Sequence, residues 1–134
     1  MLKSMNNKRG GFTLVEIMIV VAIIALLAAI AVPGWRRARK RSEAGRVLND
    51  LRIIDAAVDQ YAIENNRMSG ALITIAQWTA YTKQGSVLYN SGADIFSNSY
   101  GDQTVDGLPS VPASTWQALS DVAGTEFFSP YGHL

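Results

Sequence analysis

The sequence predicts an α+β protein. One long N-terminal helix, membrane-spanning in its first half and amphipathic in its second, packs against a small C-terminal head with short strands and helices. Three observations predict it. Residues 17–32 are sixteen consecutive positions without a polar side chain. From Arg36 to Asn65 there is no proline and a single glycine, and apolar residues recur every three or four positions. Beyond Asn65-Asn66 most of the glycines and three of the four prolines are gathered.

Composition sets the bounds. At 134 residues and 14.5 kDa the chain has room for one modest domain. With 49% apolar residues against 17% charged, the chain as a whole is not disordered, and it carries no collagen-like repeat. The long apolar run argues against an ordinary soluble enzyme. There is no cysteine, so no disulfide and no cysteine-based zinc, haem or iron–sulfur site is available. The part outside a membrane must hold by packing, hydrogen bonds or an oxygen-ligated ion. The single histidine, His133, lies beside the C-terminus and supports neither a histidine-rich metal site nor a Ser-His-Asp triad. No catalytic constellation is visible, so an enzyme is not expected, nor a cofactor.

The elements follow in order. Residues 1–11 are short, polar and basic through Lys3, Lys8 and Arg9, and end in Gly10-Gly11, which have no helix propensity. From Phe12 to Val32 the run is 21 residues, interrupted only by Thr13 and Glu16. At ~1.5 Å per residue it spans ~31 Å, the thickness of a bilayer's hydrocarbon core. A cleaved secretory signal would also place small residues such as Ala28-Ala29-Ile30-Ala31 near the end of the run. Against that stand a length beyond the usual ~7–15 residues and the carboxylate of Glu16 inside it. Alanines 22, 25, 28, 29 and 31 permit close helix approach.

Pro33 lacks a backbone donor and clashes one turn back, so it is expected to kink the helix or end it. Residues 34–65 then resume as an amphipathic helix: Val47, Leu51, Ile54, Val58 and Tyr61 make an apolar stripe with Leu48 and Ala62 beside it, and Asp50, Arg52, Asp55, Asp59 and Glu64 fall on other faces. From Phe12 to Asn65 the helix would run ~80 Å, more than the rest of the chain can cover. In the head, residues 66–134, Thr74-Ile75-Ala76-Gln77 has capping-box form and predicts a short helix through Trp78 and Tyr81. Residues 87–89 and 105–111 read as short strands, 114–122 as a second short helix, and Ser91-Gly92, Tyr100-Gly101 and Asp106-Gly107 as turns. Trp78, Trp116, Phe127 and Phe128 read as core or as contacts between heads.

The string Lys8-Arg9-Gly10-Gly11-Phe12-Thr13-Leu14-Val15-Glu16, followed by the apolar run and Pro33, closely resembles the class III leader and N-terminal helix of type IV pilins and of the pseudopilins of type II secretion. The resemblance is specific over residues 8–33, and the organisation matches over the whole chain. It implies a type IV pilin-like fold, with residues 1–11 as leader and 12–33 as both membrane helix and filament core. It also implies cleavage between Gly11 and Phe12 by a prepilin peptidase on the cytoplasmic face, and N-methylation of Phe12. The implied partners are copies of the chain and other pilin-like subunits, an assembly ATPase with its platform protein, and the membrane. Glycine before the cut suits such an enzyme, because an unhindered extended backbone can enter a protease site.

Glu16 has two readings. It lies one turn inside the apolar run and can snorkel to the headgroups. Alternatively, its carboxylate pairs with the new amine of Phe12 on a neighbouring subunit and fixes their axial register, a desolvated pair sensitive to loss of either member. Phe12, Glu16 and Pro33 are the expected assembly residues. The basic cluster over residues 36–41 reads as a headgroup-facing collar, or as a partner for acidic residues of a neighbour. It is not expected to bind nucleic acid, since only Trp35 offers a stacking surface there. Removal of residues 1–11 leaves a net charge of −2, with the positive part concentrated in this cluster.

The segment Asp94-Ile95-Phe96-Ser97-Asn98-Ser99-Tyr100-Gly101 resembles a degenerate form of a loop in major pseudopilins, whose Pro-Trp-Gly after the Asp and later Asn-Pro-Tyr are replaced here. The pseudopilins hold calcium in a nearby C-terminal loop, which makes Asp94, Asp102 and Asp106 calcium candidates. Turn chemistry accounts for the same residues without a metal and is the favoured reading. The absence of the cysteine pair common in type IV pilins shifts weight towards pseudopilins or short pilins. The expected function is that of a processed prepilin polymerised into a pilus-like filament. The chain would be single-pass in the inner membrane with its head outside the cytoplasm, then part of a periplasmic or cell-surface filament. The alternatives are a major-type pseudopilin of a type II secretion system and, from another class, an unpolymerised single-pass protein with a binding head.

Overall fold

The computed structural model describes residues 10–134. Lys3, Lys8 and Arg9 and most of the expected leader lie outside the described residues. The first element, α1 (Leu14–Glu64), is one helix of 51 residues with Pro33 inside it, so of the two outcomes expected at Pro33, termination does not occur. The chain divides into two compact units, the first ending at Arg36 and the second Arg37–Leu134.

In the first unit every residue of the apolar run is exposed. It is long and apolar enough to cross a membrane. A helix apolar all round has no core-facing stripe of its own and buries itself only in lipid or among other chains.

In the second unit α1 turns amphipathic as its spacing predicts. Ala44, Val47, Leu51, Ile54, Val58 and Ala62 are buried, at steps of three and four. Tyr61 and Leu48 pack at the edge of this stripe. Against it the chain lays β1 (Leu72–Ile73), α2 (Ile75–Thr79), α3 (Val87–Ser91), β2 (Gln103–Thr104), β3 (Ser110–Val111), α4 (Ala113–Leu119), α5 (Thr125–Phe128) and β4 (Gly132–His133). β1 pairs antiparallel with β2, Ile73 opposite Gln103, and β3 pairs parallel with β4, Val111 opposite His133. Trp78 and Phe128 are among the largest fully buried side chains, while Trp116 and Phe127 are half-buried; Trp116 stacks on His133 with ring centroids 3.9 Å apart.

Several local expectations are corrected. Residues 87–89 are helical, not extended: Ser86 caps α3 by accepting the Tyr89 N–H at 3.1 Å, and Gly92 ends it in the left-handed conformation at φ 62°. Two caps six residues apart outweigh the strand preference of Val-Leu-Tyr. Residues 105–111 are not one strand, because the Asp106-Gly107 turn and Pro109, which has no N–H to give a ladder, separate β2 from β3. The Thr74 helix ends at Thr79, short of Tyr81, with the Gln77 side chain accepting the Thr74 N–H at 2.9 Å. The expected helix over 114–122 is α4, ending at Leu119.

Candidate functional site

Residues 10–13 precede α1 without regular structure, and among the described residues nothing beyond the adjoining chain lies within 4 Å of where a Cβ would stand on Gly10 or Gly11. Phe12 is 84% exposed. The Gly11–Phe12 bond therefore sits in an exposed, non-helical strip just ahead of the helix.

The helix begins with a reciprocal cap. The Thr13 N–H donates to Glu16 Oε2 at 3.2 Å, and the Glu16 N–H donates to Thr13 Oγ1 at 3.2 Å. This capping box satisfies two of the donors that a helix start leaves unpaired. The role is additional to both readings of Glu16 given above, and its signal, Thr-x-x-Glu, stands in the sequence as Thr13-Leu14-Val15-Glu16. Oε2 is committed to the cap, and Oε1 remains to accept from a cation. Phe12, Glu16, Ile17 and Val20 border one groove, so the aromatic ring, the carboxylate and the next turn share a flank. Pro33, the third expected assembly residue, lies inside α1 more than about three turns from that flank.

The side chains over residues 36–41 are exposed. Arg39 Nε meets Glu43 Oε1 at 3.3 Å, and Lys40 Nζ meets Asp121 Oδ2, in the turn after α4, at 3.0 Å. Lys40 holds the Asp121 carboxyl below the usual carboxylate range.

The loop that resembles the pseudopilin segment is built around Asp94, which is 1% exposed. Its Oδ1 accepts the N–H groups of Phe96 at 2.9 Å and Asn98 at 3.0 Å, and its Oδ2 accepts the Thr115 hydroxyl from α4. Asn98 Nδ2 also donates to Thr115 Oγ1 at 2.8 Å. The carboxylate thus acts as an Asx-turn anchor and ties the loop to α4. Asp102 Oδ1 accepts the Ile75 N–H at 3.0 Å at the start of α2, and Asp106 holds a left-handed turn position at φ 62°. The three calcium candidates are employed in separate turns, and among the described residues no three Asp, Glu or His side chains gather as a metal cluster. What sequence reasoning missed is Thr115, whose hydroxyl completes this network from 21 residues away; no local pattern marks it.

Tyr100 fastens the end of the loop to α1 by donating to Asp50 Oδ2 at 3.0 Å. Burial raises the Asp50 carboxyl above its ordinary range, partly offset by the Tyr100 hydrogen bond, and burial together with Asp50 raises the Tyr100 hydroxyl.

Comparison with known proteins agrees with this arrangement. Residues 6–32 match the family model described as the prokaryotic N-terminal methylation motif. The type IV major fimbrial protein FimA of Dichelobacter nodosus is 34% identical over 102 residues, covering 76% of this chain and 58% of its own length. The type II secretion system core protein G of Klebsiella pneumoniae is 35% identical over 61 residues, 46% of this chain and 44% of that protein. The type IV major pilin protein PilA of Myxococcus xanthus is 41% identical over 64 residues, 48% of this chain and 29% of that one. The chain thus spans between 29% and 58% of the length of these relatives. No solved structure matches. A methylation motif at the start of a bare apolar helix, a head packed on that helix's amphipathic continuation, and relatives on both sides of the division place the chain in the family of type IV pilins and type II secretion pseudopilins.

Proposed function

We propose that the chain is a prepilin, cut between Gly11 and Phe12, methylated on Phe12, and polymerised through α1 into a pilus-like filament. The observation that carries this reading is the wholly exposed apolar run of α1 directly behind an exposed Gly11–Phe12 bond. Before assembly the run serves as a single-pass anchor in the inner membrane with the head outside the cytoplasm; afterwards it forms the filament core. Lipid and filament core are similarly apolar, so extraction needs outside work, which fits an assembly ATPase and platform protein acting after a prepilin peptidase. In this reading the protein is a structural subunit and not an enzyme, and the only covalent chemistry is done to it.

Glu16 Oε1 is available for the amine of Phe12 on a neighbouring copy, which would set the axial register. The pilin reading is favoured over the pseudopilin one because the match to the fimbrial relative extends over 102 residues and so reaches into the head, whereas that to core protein G covers 61. Calcium at Asp94, Asp102 and Asp106 would require the Asp94 and Asp102 carboxylates to leave their present donors, and the head is proposed to stand without it. The test is mass spectrometry of the mature chain together with electron microscopy of sheared cell-surface material. An N-terminus at methylated Phe12 in fibres containing the chain is expected. An uncut chain with no fibre would refute the reading and favour the unpolymerised membrane protein.

A further inference from the structure

The basic cluster leaves one pair of charges without a direct ion pair. On a helix, residues four apart are neighbours, with Cβ atoms about 6 Å apart, and like charges so placed repel. Residues 36–41 contain two such pairs side by side, Arg36 with Lys40 and Arg37 with Arg41. The first is relieved by Asp121, which holds Lys40 at 3.0 Å. In the second, Arg37 is near enough to Asp121 to help lower its carboxyl, but among the described residues neither Arg37 nor Arg41 makes an ion pair within 4 Å, and both are exposed. Arg37 lies five residues past Val32, about 7.5 Å of helix contour. The headgroup zone is about 5–8 Å deep on each side of the hydrocarbon core, and the arginine stem is long enough for Arg41 to reach back towards it. Trp35, an aromatic suited to the interface, lies two residues before Arg37.

We infer that Arg37 and Arg41 form a two-pronged clamp for the phosphate of an anionic phospholipid in the leaflet on the head's side of the membrane. A guanidinium pair matches phosphate oxygens with several charge-assisted donors, and an anion between them offsets the repulsion that Asp121, held by Lys40, leaves. The clamp rests on the membrane-anchored state proposed above. It gives the subunit a lipid-held resting position distinct from its filament contacts, and Lys40, occupied by Asp121, stands outside it.

The test uses the processed full chain in nanodiscs of phosphatidylcholine with 30% phosphatidylglycerol (roughly the anionic fraction that gives a strong surface potential). Lipids that stay bound through delipidation are counted by native mass spectrometry. Phosphatidylglycerol is expected to be enriched over phosphatidylcholine, and Arg37→Gln with Arg41→Gln to cut that enrichment about tenfold or more, as two cations near an anionic surface predict. Lys83→Gln, a basic residue of the head, should change nothing. Equal retention of the two lipids by the wild-type chain, or undiminished enrichment in the double variant, overturns the clamp. So does duplex DNA displacing phosphatidylglycerol at equal concentration, since the pair would then belong to a nucleic-acid surface. Failure of the chain to enter nanodiscs at all would instead refute the membrane-anchored reading, so the two failures are separable.

Discussion

Replacing Glu16 by glutamine separates the two tasks assigned to that side chain. Glutamine at the third helical position can still return a hydrogen bond to the Thr13 N–H, so the cap survives while the charge is lost. In the filament the Phe12 ammonium would then be desolvated without a partner, which costs about 3–5 kcal/mol when one member of a buried pair is removed. That is roughly two to three and a half orders of magnitude in subunit association, at about 1.4 kcal/mol per tenfold. Loss of the cap alone, the extra effect of Glu16→Ala, costs only about 0.5–2 kcal/mol and falls on the first helical turn. The assay measures, for wild type, Glu16→Gln and Glu16→Ala, the fraction of processed chain in sheared filaments against the fraction left in membranes. Hydrogen exchange at the amides of residues 14–17 reports on the cap. Glu16→Gln should be cut and inserted normally, keep its first-turn protection and fail to assemble. Wild-type filament yield from Glu16→Gln with failure of Glu16→Ala would show that the cap, not the charge, is what assembly needs.

Three further outcomes are expected of the head. Asp94→Ala strands two backbone N–H groups and the Thr115 hydroxyl in a buried loop, and should lower unfolding stability by about 3–5 kcal/mol in urea titrations of the detergent-solubilised chain; a loss under about 1 kcal/mol would mean that solvent replaces the carboxylate. Gly92→Ala must adopt a left-handed φ of 62° with its Cβ 2.6 Å from the Ile75 side chain, and should cost about 1–3 kcal/mol by the same measurement; an unchanged midpoint would refute the packing of α3 on α2. Because burial raises the folded-state value of Asp50 above its unfolded one, its contribution is fully present below pH ~4 and is lost as pH rises through the raised value. Asp50→Asn should therefore gain stability relative to wild type as pH climbs through that window. Glu64 and Asp121, whose values are lowered, oppose this slope in both proteins and cancel in the difference, so a pH-independent difference would contradict the burial of Asp50.

Much of the fold was legible because its signals are periodic or local. The apolar run needs only counting, and the stripe Val47, Leu51, Ile54 and Val58 needs only the helical repeat; all four are buried. The Gln77 cap of α2 was equally plain. The misreadings arise where elements are two to five residues long and a single cap or turn outweighs propensity, as Ser86 and Gly92 do for α3. β1 and β4 escaped notice because two-residue strands exist only through their partners, Gln103-Thr104 and Ser110-Val111. At the candidate site, Gly11, Phe12 and Glu16 announce themselves by motif, while the duty of Asp94 depends on Thr115 and could not be read before the chain was folded.

The head closes its final third without sulfur. Where a cysteine pair would need an oxidant, and often an isomerase to correct errors, a carboxylate gripped by two amides and a hydroxyl is complete as soon as α4 docks. Maturation of this chain is consequently indifferent to thiol reductants: dithiothreitol in the growth medium should leave its folding untouched, and the cell can produce it in quantity without engaging its disulfide-forming enzymes.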